Sequence, residues 1–461
     1  MLDLHGFLAE HRDSHLHIAK PVSLDHIGAL TAEAPDTIVF DNIEGYPEWR
    51  LVDQLFATRD SQARVLGCAP GDVVAHLAEV LRAGPSPLTE VSDAPCQEQV
   101  FEGADVDLSM LPIVTHTDRD PYPYSTGFVT HRDPETGQLN SMFPRCGVLS
   151  RNEMVTSFVT STANAMYAKH RAAGTRMPQA QAIGVHPAWE LASVYSHPHR
   201  GWWEPELFQA ITGEPGQVVR CKTVDLLVPA DASVIIEGYV SPTRTAQDGP
   251  SPGPTMLFTP YASEQPVFEV TAITMRNNPI YRNHQMTPFT DHQELPRLMH
   301  AAIIYDRLDA MGIGPRTVHF NQGGGSLMCV IQVEPKFDGH VTDALLSVLG
   351  SSWLNTKMVV AVDPDIDPYD YRDVIYAMAT RVDPSRDVIV IDNARATPFD
   401  PSATPILEAF DDTAQTRFPS VVGKWGIDAT KPVPYRTQER ARYERAWPKH
   451  WGEVKLSDYL S

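Results

Sequence analysis

The sequence predicts a mixed α/β (α+β) protein of more than one domain. Three observations lead there. The chain has 461 residues and 42% hydrophobic content, too long for one hydrophobic core, so two or three domains are expected. From about residue 95 to 290, short β runs alternate with turn signals, the pattern of a barrel or sandwich. Beyond residue 313, apolar strand runs alternate with helical stretches, as in an α/β layer.

The elements follow in order. Residues 1–95 form an N-terminal α/β region. In it "DTIVFDNI" (36–43) reads as a strand and "PGDVVAHLAEVLRAGP" (70–85) as a helix between prolines. Residues 96–289 are the β-rich part. "STGFVTHRDPETGQLNSMFPR" reads there as a hairpin closed by "DPETGQ", and one amphipathic helix at about 161–173 interrupts the strands. Residues 290–312 read as a linker helix. Residues 313–461 are a C-terminal α/β region, with "LMCVIQVE", "KMVVAVD" and "DVIVID" as buried strands. The tail from 418, rich in proline and aromatic residues, is expected to wrap a neighbour rather than build a core.

Charge and cysteine usage exclude several classes. The formal net charge is −21, from 58 acidic and 37 basic residues. Such a surface repels nucleic acid and anionic lipid, so neither is expected as a partner. Cys68, Cys96, Cys146, Cys221 and Cys329 are scattered and never form a CxxC pair. That fits a reducing compartment rather than a disulfide framework or a zinc knuckle. The N-terminus lacks a basic region followed by an apolar run, and no stretch approaches about 18 uninterrupted apolar residues. A cytoplasmic protein is the expectation.

Some short stretches could carry chemistry. "NSMFPR" (140–145) reads as a buried strand holding an amide and a permanent cation. Arg145 can present a planar fork to a carboxylate, or it can close a structural salt bridge. Asn140 offers an amide oxygen to a cation. In "GWWEPELFQAITGEP" (201–215), Glu204 opens a helix. It either complements the helix N-terminus or binds a hard metal ion. Asp248 in "TRTAQDGPSPGP" (243–254) is either an Asp-Gly turn or an acid/base group held near Arg145. Asp363, Asp365 and Asp367 alternate as in a calcium loop, but Pro368 and Val374 stand where that loop needs Gly and Glu. "FNQGGGS" (320–326) reads as a tight turn. The pairs His15/His17 and His197/His199 read as solvated loop histidines.

Taken together, these stretches resemble the UbiD family of prenylated-flavin decarboxylases, which includes ferulic acid decarboxylase. The likeness runs from about residue 30 to 440. "NSMFPR" matches the family's Asn-x4-Arg, "AITGEP" lies downstream of its metal-ligand glutamate, and "QDGP" falls where the family has an acid before Gly-Pro. "DLLVPADASVIIEGYV", "MRNNPIY", "VVAVDPDIDPYDYRDVIYAMATR" and "GKWGIDATKP" match further. The resemblance implies a split β-barrel flavin domain over 96–289 and a C-terminal oligomerisation domain. It implies prenylated FMN supplied by a separate flavin prenyltransferase, with a divalent metal (Mn2+ or Mg2+) and often K+. Asn140 and Glu204 would bind the metal. Arg145 would hold the substrate carboxylate near the flavin, paired with the acid/base group Asp248. Lys424 would contact the cofactor phosphate, and backbone groups around residues 192–196 would complete a potassium site.

Two departures from the family matter. Its metal-binding His is absent near residues 162–164, where Asn164 is the candidate substitute. Its second acid, five residues after Asp248, is replaced by Gly253 between two prolines. A glycine there predicts a wider, less polar pocket mouth. The resemblance implies non-oxidative decarboxylation of an α,β-unsaturated acid, such as a polyketide-derived acid giving a terminal alkene. An aromatic or heteroaromatic acid is the alternative, and a catalytically inert assembly subunit is the rival from another class. A homodimer or larger homo-oligomer is expected.

Overall fold

A computed structural model gives the architecture, and it describes residues 2–158, 161–195, 201–259, 263–320, 322–351, 353–405 and 420–459. The fold is mixed α/β, as expected. A small sheet carries the N-terminal strands Leu16–Ile18, Ile38–Phe40 and Arg50–Asp53, and its fourth strand is the distant Ile280–Arg282, parallel to Arg50–Asp53. The strand expected over 36–43 is thus only three residues long. The helix expected between prolines is Val73–Ala83, and it packs against the linker helix Glu294–Ala310.

The centre is a curled nine-stranded sheet. Along its path lie Tyr124–Thr126, Arg145–Ser150, Glu153–Thr156, Ser263–Met275, Val234–Asp248, Met177–Ile183, Phe128–Arg132 and Leu139–Met142, with Gln99–Glu102 pairing to Ser263–Met275. The β-branched run at the start of Val234–Asp248 explains its strand: Val234 and Ile236 bury into one core, while Ile235 buries into another. Fully burying each such side chain contributes about 1.5–3 kcal/mol. Gly238 sits at a register shift, and a Cβ there would lie 2.0 Å from the Glu269 carbonyl oxygen. Only glycine permits that approach.

One expectation needs correction here. "NSMFPR" is not a single strand. Asn140 belongs to Leu139–Met142 and Arg145 to Arg145–Ser150, joined by Phe143 and Pro144. These two strands lie at or next to opposite ends of the sheet path. A two-residue link between them requires the sheet to curl until its ends approach each other. Proline lacks the N–H that a continuous ladder would use, which is why the strand breaks there.

The C-terminal sheet runs Thr317–Phe320, Met328–Gln332, Met358–Val362, Ser420–Ala429 and Val388–Ala396. Its three inner strands are parallel. The expectation for the tail is corrected too, because Ser420–Ala429 is an inner strand. Gly423, Lys424 and Gly426 interrupt its apolar pattern, and Gly426 lets Leu345 of the helix His340–Leu349 come close. His15 is buried beside the Phe7 ring rather than solvated, and burial lowers its pKa to about 4. His197 and His199 lie outside the described residues. All five cysteines are free thiols. No described helix is long and apolar enough to cross a membrane.

Candidate active site

The strand Val234–Asp248 ends on its carboxylate, and Arg145 begins another strand of the same curled sheet. Their side chains meet, with Arg145 Nη2 2.7 Å from Asp248 Oδ2. Asp248 is 2% exposed and Arg145 13%, so the pair is shielded from water and the charge-assisted bond is strong. Tyr124 donates from its hydroxyl to Asp248 Oδ1 at 3.0 Å, and its ring lies 5.2 Å from the Arg145 guanidinium carbon. Burial, and then the Asp248 charge, push the Tyr124 pKa upward, which keeps its hydroxyl a donor. The only hydrogen bond from the Arg145 guanidinium to a described residue uses Nη2. Its remaining N–H groups are available to an incoming carboxylate.

The expected metal ligands converge in part. Glu204 Oε2 accepts from the backbone N–H of Ser141 at 3.0 Å, and the Asn140 amide donates to the Ser141 carbonyl at 3.3 Å. The indole N–H of Trp203 donates to Ser141 Oγ at 2.7 Å and fixes the turn that carries Glu204. Asn164 stands near the start of the helix Ser161–Ala173 and donates to the Phe158 carbonyl at 3.0 Å. That helix touches the strand bearing Asn140. Among the described residues no group of three His, Cys, Asp or Glu could hold a metal. The expected ligands Asn140, Asn164 and Glu204 would offer amide and carboxylate oxygens. Such a set suits a hard divalent ion that takes its other ligands from a phosphate, so the residues fit the implied pair of metal and flavin phosphate.

Two other expected contributors are not drawn into this cluster. Lys424 is buried in the C-terminal sheet, and burial lowers its pKa. No described contact joins it to Asn140, Glu204, Arg145 or Asp248. Of residues 192–196, Ala192 to Tyr195 form a turn closing the helix Pro187–Ser193, and Ser196 lies outside the described residues.

The structure adds residues that sequence reasoning missed. Asp120 is close enough to Arg145 to feel its charge, yet burial outweighs that and raises its pKa. Its Oδ2 accepts from the Thr117 N–H at 2.7 Å, while Oδ1 is buried without a partner among the described residues. His116, His284 and His292 surround the same region, and burial keeps all three neutral at neutral pH. The His284 ring meets Phe143 edge-on at 4.5 Å, and its Nε2 lies 3.2 Å from Glu190. Behind it Arg282 binds Asp53 at 2.7 Å and Asp291 at 2.6 Å, with Glu190 at 3.5 Å. Three buried carboxylates face one guanidinium there, and burial raises the pKa of Glu190 to about 7. "MRNNPIYRNHQM" contains Arg282 and His284, and "TDRDP" contains Asp120, but nothing in their spacing announces the contacts.

Gly253 also differs from expectation. A Cβ on it would lie 2.8 Å from the Phe399 ring. The volume left by the missing acid is thus filled by an aromatic side chain of the C-terminal region. Phe399 therefore occupies the space beside Gly253 that was expected to widen the pocket mouth.

Comparison with known proteins identifies the family and the fold. Residues 89–288 match the model of the UbiD family described as the 3-octaprenyl-4-hydroxybenzoate carboxy-lyase Rift-related domain, and residues 295–429 match the corresponding C-terminal domain. The UbiD-class enzyme HmfF from Pelotomaculum thermopropionicum, solved with FMN, is 29% identical over all of both chains with a TM-score of 0.87. An evolved dimeric form of HmfF, solved with prFMN, is 29% identical, with a TM-score of 0.84, over 99% of this chain and all of the other. A 3,4-dihydroxybenzoic acid decarboxylase from Enterobacter cloacae shares the fold at 24% identity and a TM-score of 0.86, over all of this chain and 99% of its own.

Proposed function

Because this chain belongs to the UbiD family and is a carboxy-lyase, we propose that it uses prenylated FMN to remove CO2 without oxidation from an acid whose carboxyl sits on an unsaturated carbon. The observation that carries this reading is the buried Arg145–Asp248 pair with Tyr124 on its far oxygen.

The prenylated flavin, when bound, supplies the electron sink that no side chain offers. Asn140, Glu204 and Asn164 would hold it through a divalent ion, Mn2+ or Mg2+, with K+ as a further contributor on the phosphate side. Every other task falls to side chains. Arg145 takes the substrate carboxylate on its free N–H groups and sets its orientation. Asp248 moves a proton at Oδ2, the oxygen that faces Arg145, while Tyr124 holds Oδ1. Asp120 is the second carboxyl beside Arg145 and replaces the acid that Gly253 cannot provide. The apolar walls exclude water from the departing CO2.

The acid is α,β-unsaturated, and the aromatic or heteroaromatic class is included. Phe399, filling the space beside Gly253, favours a compact ring over the long polyketide-derived chain that an open mouth would admit. A flavin prenyltransferase supplies the cofactor. The test is the absorption spectrum of the chain purified after co-production with that enzyme. A retained flavin band in the wild type and a weakened one in Glu204→Gln are expected, since the variant loses an anionic ligand. A colourless wild type, or equal retention in Glu204→Gln, contradicts the reading.

A further inference from the structure

Residues 249–259 leave the sheet directly after Asp248 and fold back on themselves. Gly253 N–H donates to the Leu257 carbonyl at 3.0 Å, and Thr259 N–H donates to the Ser251 carbonyl at 2.9 Å. At the base of this hairpin, a Cβ on Gly249 would lie 3.6 Å from Arg145 Nη2. Its tip touches the C-terminal half of the chain. Gly253 faces the Phe399 ring, and Thr255 donates from Oγ1 to the Phe399 carbonyl at 3.2 Å. The Thr255 backbone packs on Gly325, where a Cβ would come within 3.2 Å.

Both receiving segments are anchored. Beside Phe399, the buried Asp400 pairs with Lys357 at 3.0 Å, next to the strand Met358–Val362, and accepts from the Ser402 N–H at 2.9 Å. Beside Gly325, Ser326 Oγ accepts from Arg297 Nε of the linker helix at 3.0 Å, and Arg297 is held by Glu294 at 2.5 Å. A continuous set of packed and hydrogen-bonded groups therefore runs from the C-terminal sheet and the linker helix to the hairpin that starts at Asp248.

We propose that residues 249–259 are a clasp through which the C-terminal sheet and the linker helix fix Asp248 against Arg145, with Phe399 and Thr255 as positioning residues for decarboxylation. The inference rests on the proposed function for its catalytic meaning, but the clasp itself is a property of the protein without cofactor. Gly253 is part of the device, because any side chain there would displace the Phe399 ring. In this chain the position of the missing acid has become a docking point.

Amide hydrogen exchange on the full chain tests the clasp. Phe399→Ala should speed exchange over residues 249–259 by about tenfold or more while the strand Met177–Ile183 keeps its protection. Thr255→Val removes one hydrogen bond and should show a smaller change of the same sign. Phe399→Leu should restore most of the protection. In the cofactor-loaded enzyme, Phe399→Ala should lower kcat with KM little changed, and Phe399→Leu should recover it. Unchanged exchange in both Phe399→Ala and Thr255→Val overturns the clasp. Faster exchange with wild-type kcat overturns the positioning role. A loaded wild type that releases no CO2 counts against the proposed function, while the exchange result still decides the clasp.

Discussion

At the scale of single residues, the proposed chemistry rests on Asp248, paired with Arg145, and on Asp120, near enough to feel the same charge. Asp248 is tied to both Arg145 and Tyr124, so its task is bound to the orientation of the pair. Asp120 has one buried oxygen free of described partners, and burial raises its pKa, which suits a group that must hold a proton before giving it up. The two variants should therefore differ. Asp248→Asn is expected to be nearly inactive. Asp120→Asn is expected to keep substrate affinity and lose turnover by about 100-fold, within the usual worth of a general acid. Steady-state rates on one acid check both. Wild-type turnover in Asp120→Asn would return the second proton to Asp248 or to water.

At the scale of elements, the sequence announced types better than connections. The helix at 161–173, the hairpin around "DPETGQ" and the linker helix all stand where periodicity and turn residues placed them. Asp248 and Arg145 stand out in the sequence as an Asp-Gly turn and a cation beside a buried strand, their expected roles come from the family resemblance, and the structure brings their side chains together. What stayed hidden depends on contacts between distant segments. The break between Asn140 and Arg145 follows from sheet closure, which no local window contains. Ser420–Ala429 was obscured by two glycines and a buried lysine. The Arg282 hub draws Asp53, Glu190 and Asp291 from three separate elements, and each looks like an ordinary surface acid in the sequence. The filling of Gly253 by Phe399 joins residues 146 positions apart.

At the scale of the whole molecule, the C-terminal sheet leaves apolar surface uncovered. Met328, Met358, Trp425 and Val390 stand side by side across four strands, and Val390 is 66% exposed. Trp447 and Trp451 stack on each other and remain exposed as well. Single exposed apolar residues are ordinary, but a registered row of them is the kind of surface that copies of a chain use to associate. A homodimer or larger symmetric assembly is therefore expected by light scattering at micromolar concentration. Trp425→Asp combined with Val390→Asp should shift it toward one chain's mass. A wild type that already scatters as a single chain contradicts this. The central claim is that Arg145 holds the acid whose CO2 the bound cofactor releases. Its most direct test is CO2 release by cofactor-loaded wild type and Arg145→Lys, offered a panel of unsaturated and aromatic acids. The account predicts turnover of at least one acid by the wild type, and a loss of about 100-fold or more in a folded, cofactor-retaining Arg145→Lys, because a point charge cannot reproduce the two-pronged hold. Near wild-type release by that variant, or no release from any acid by the loaded wild type, would contradict it.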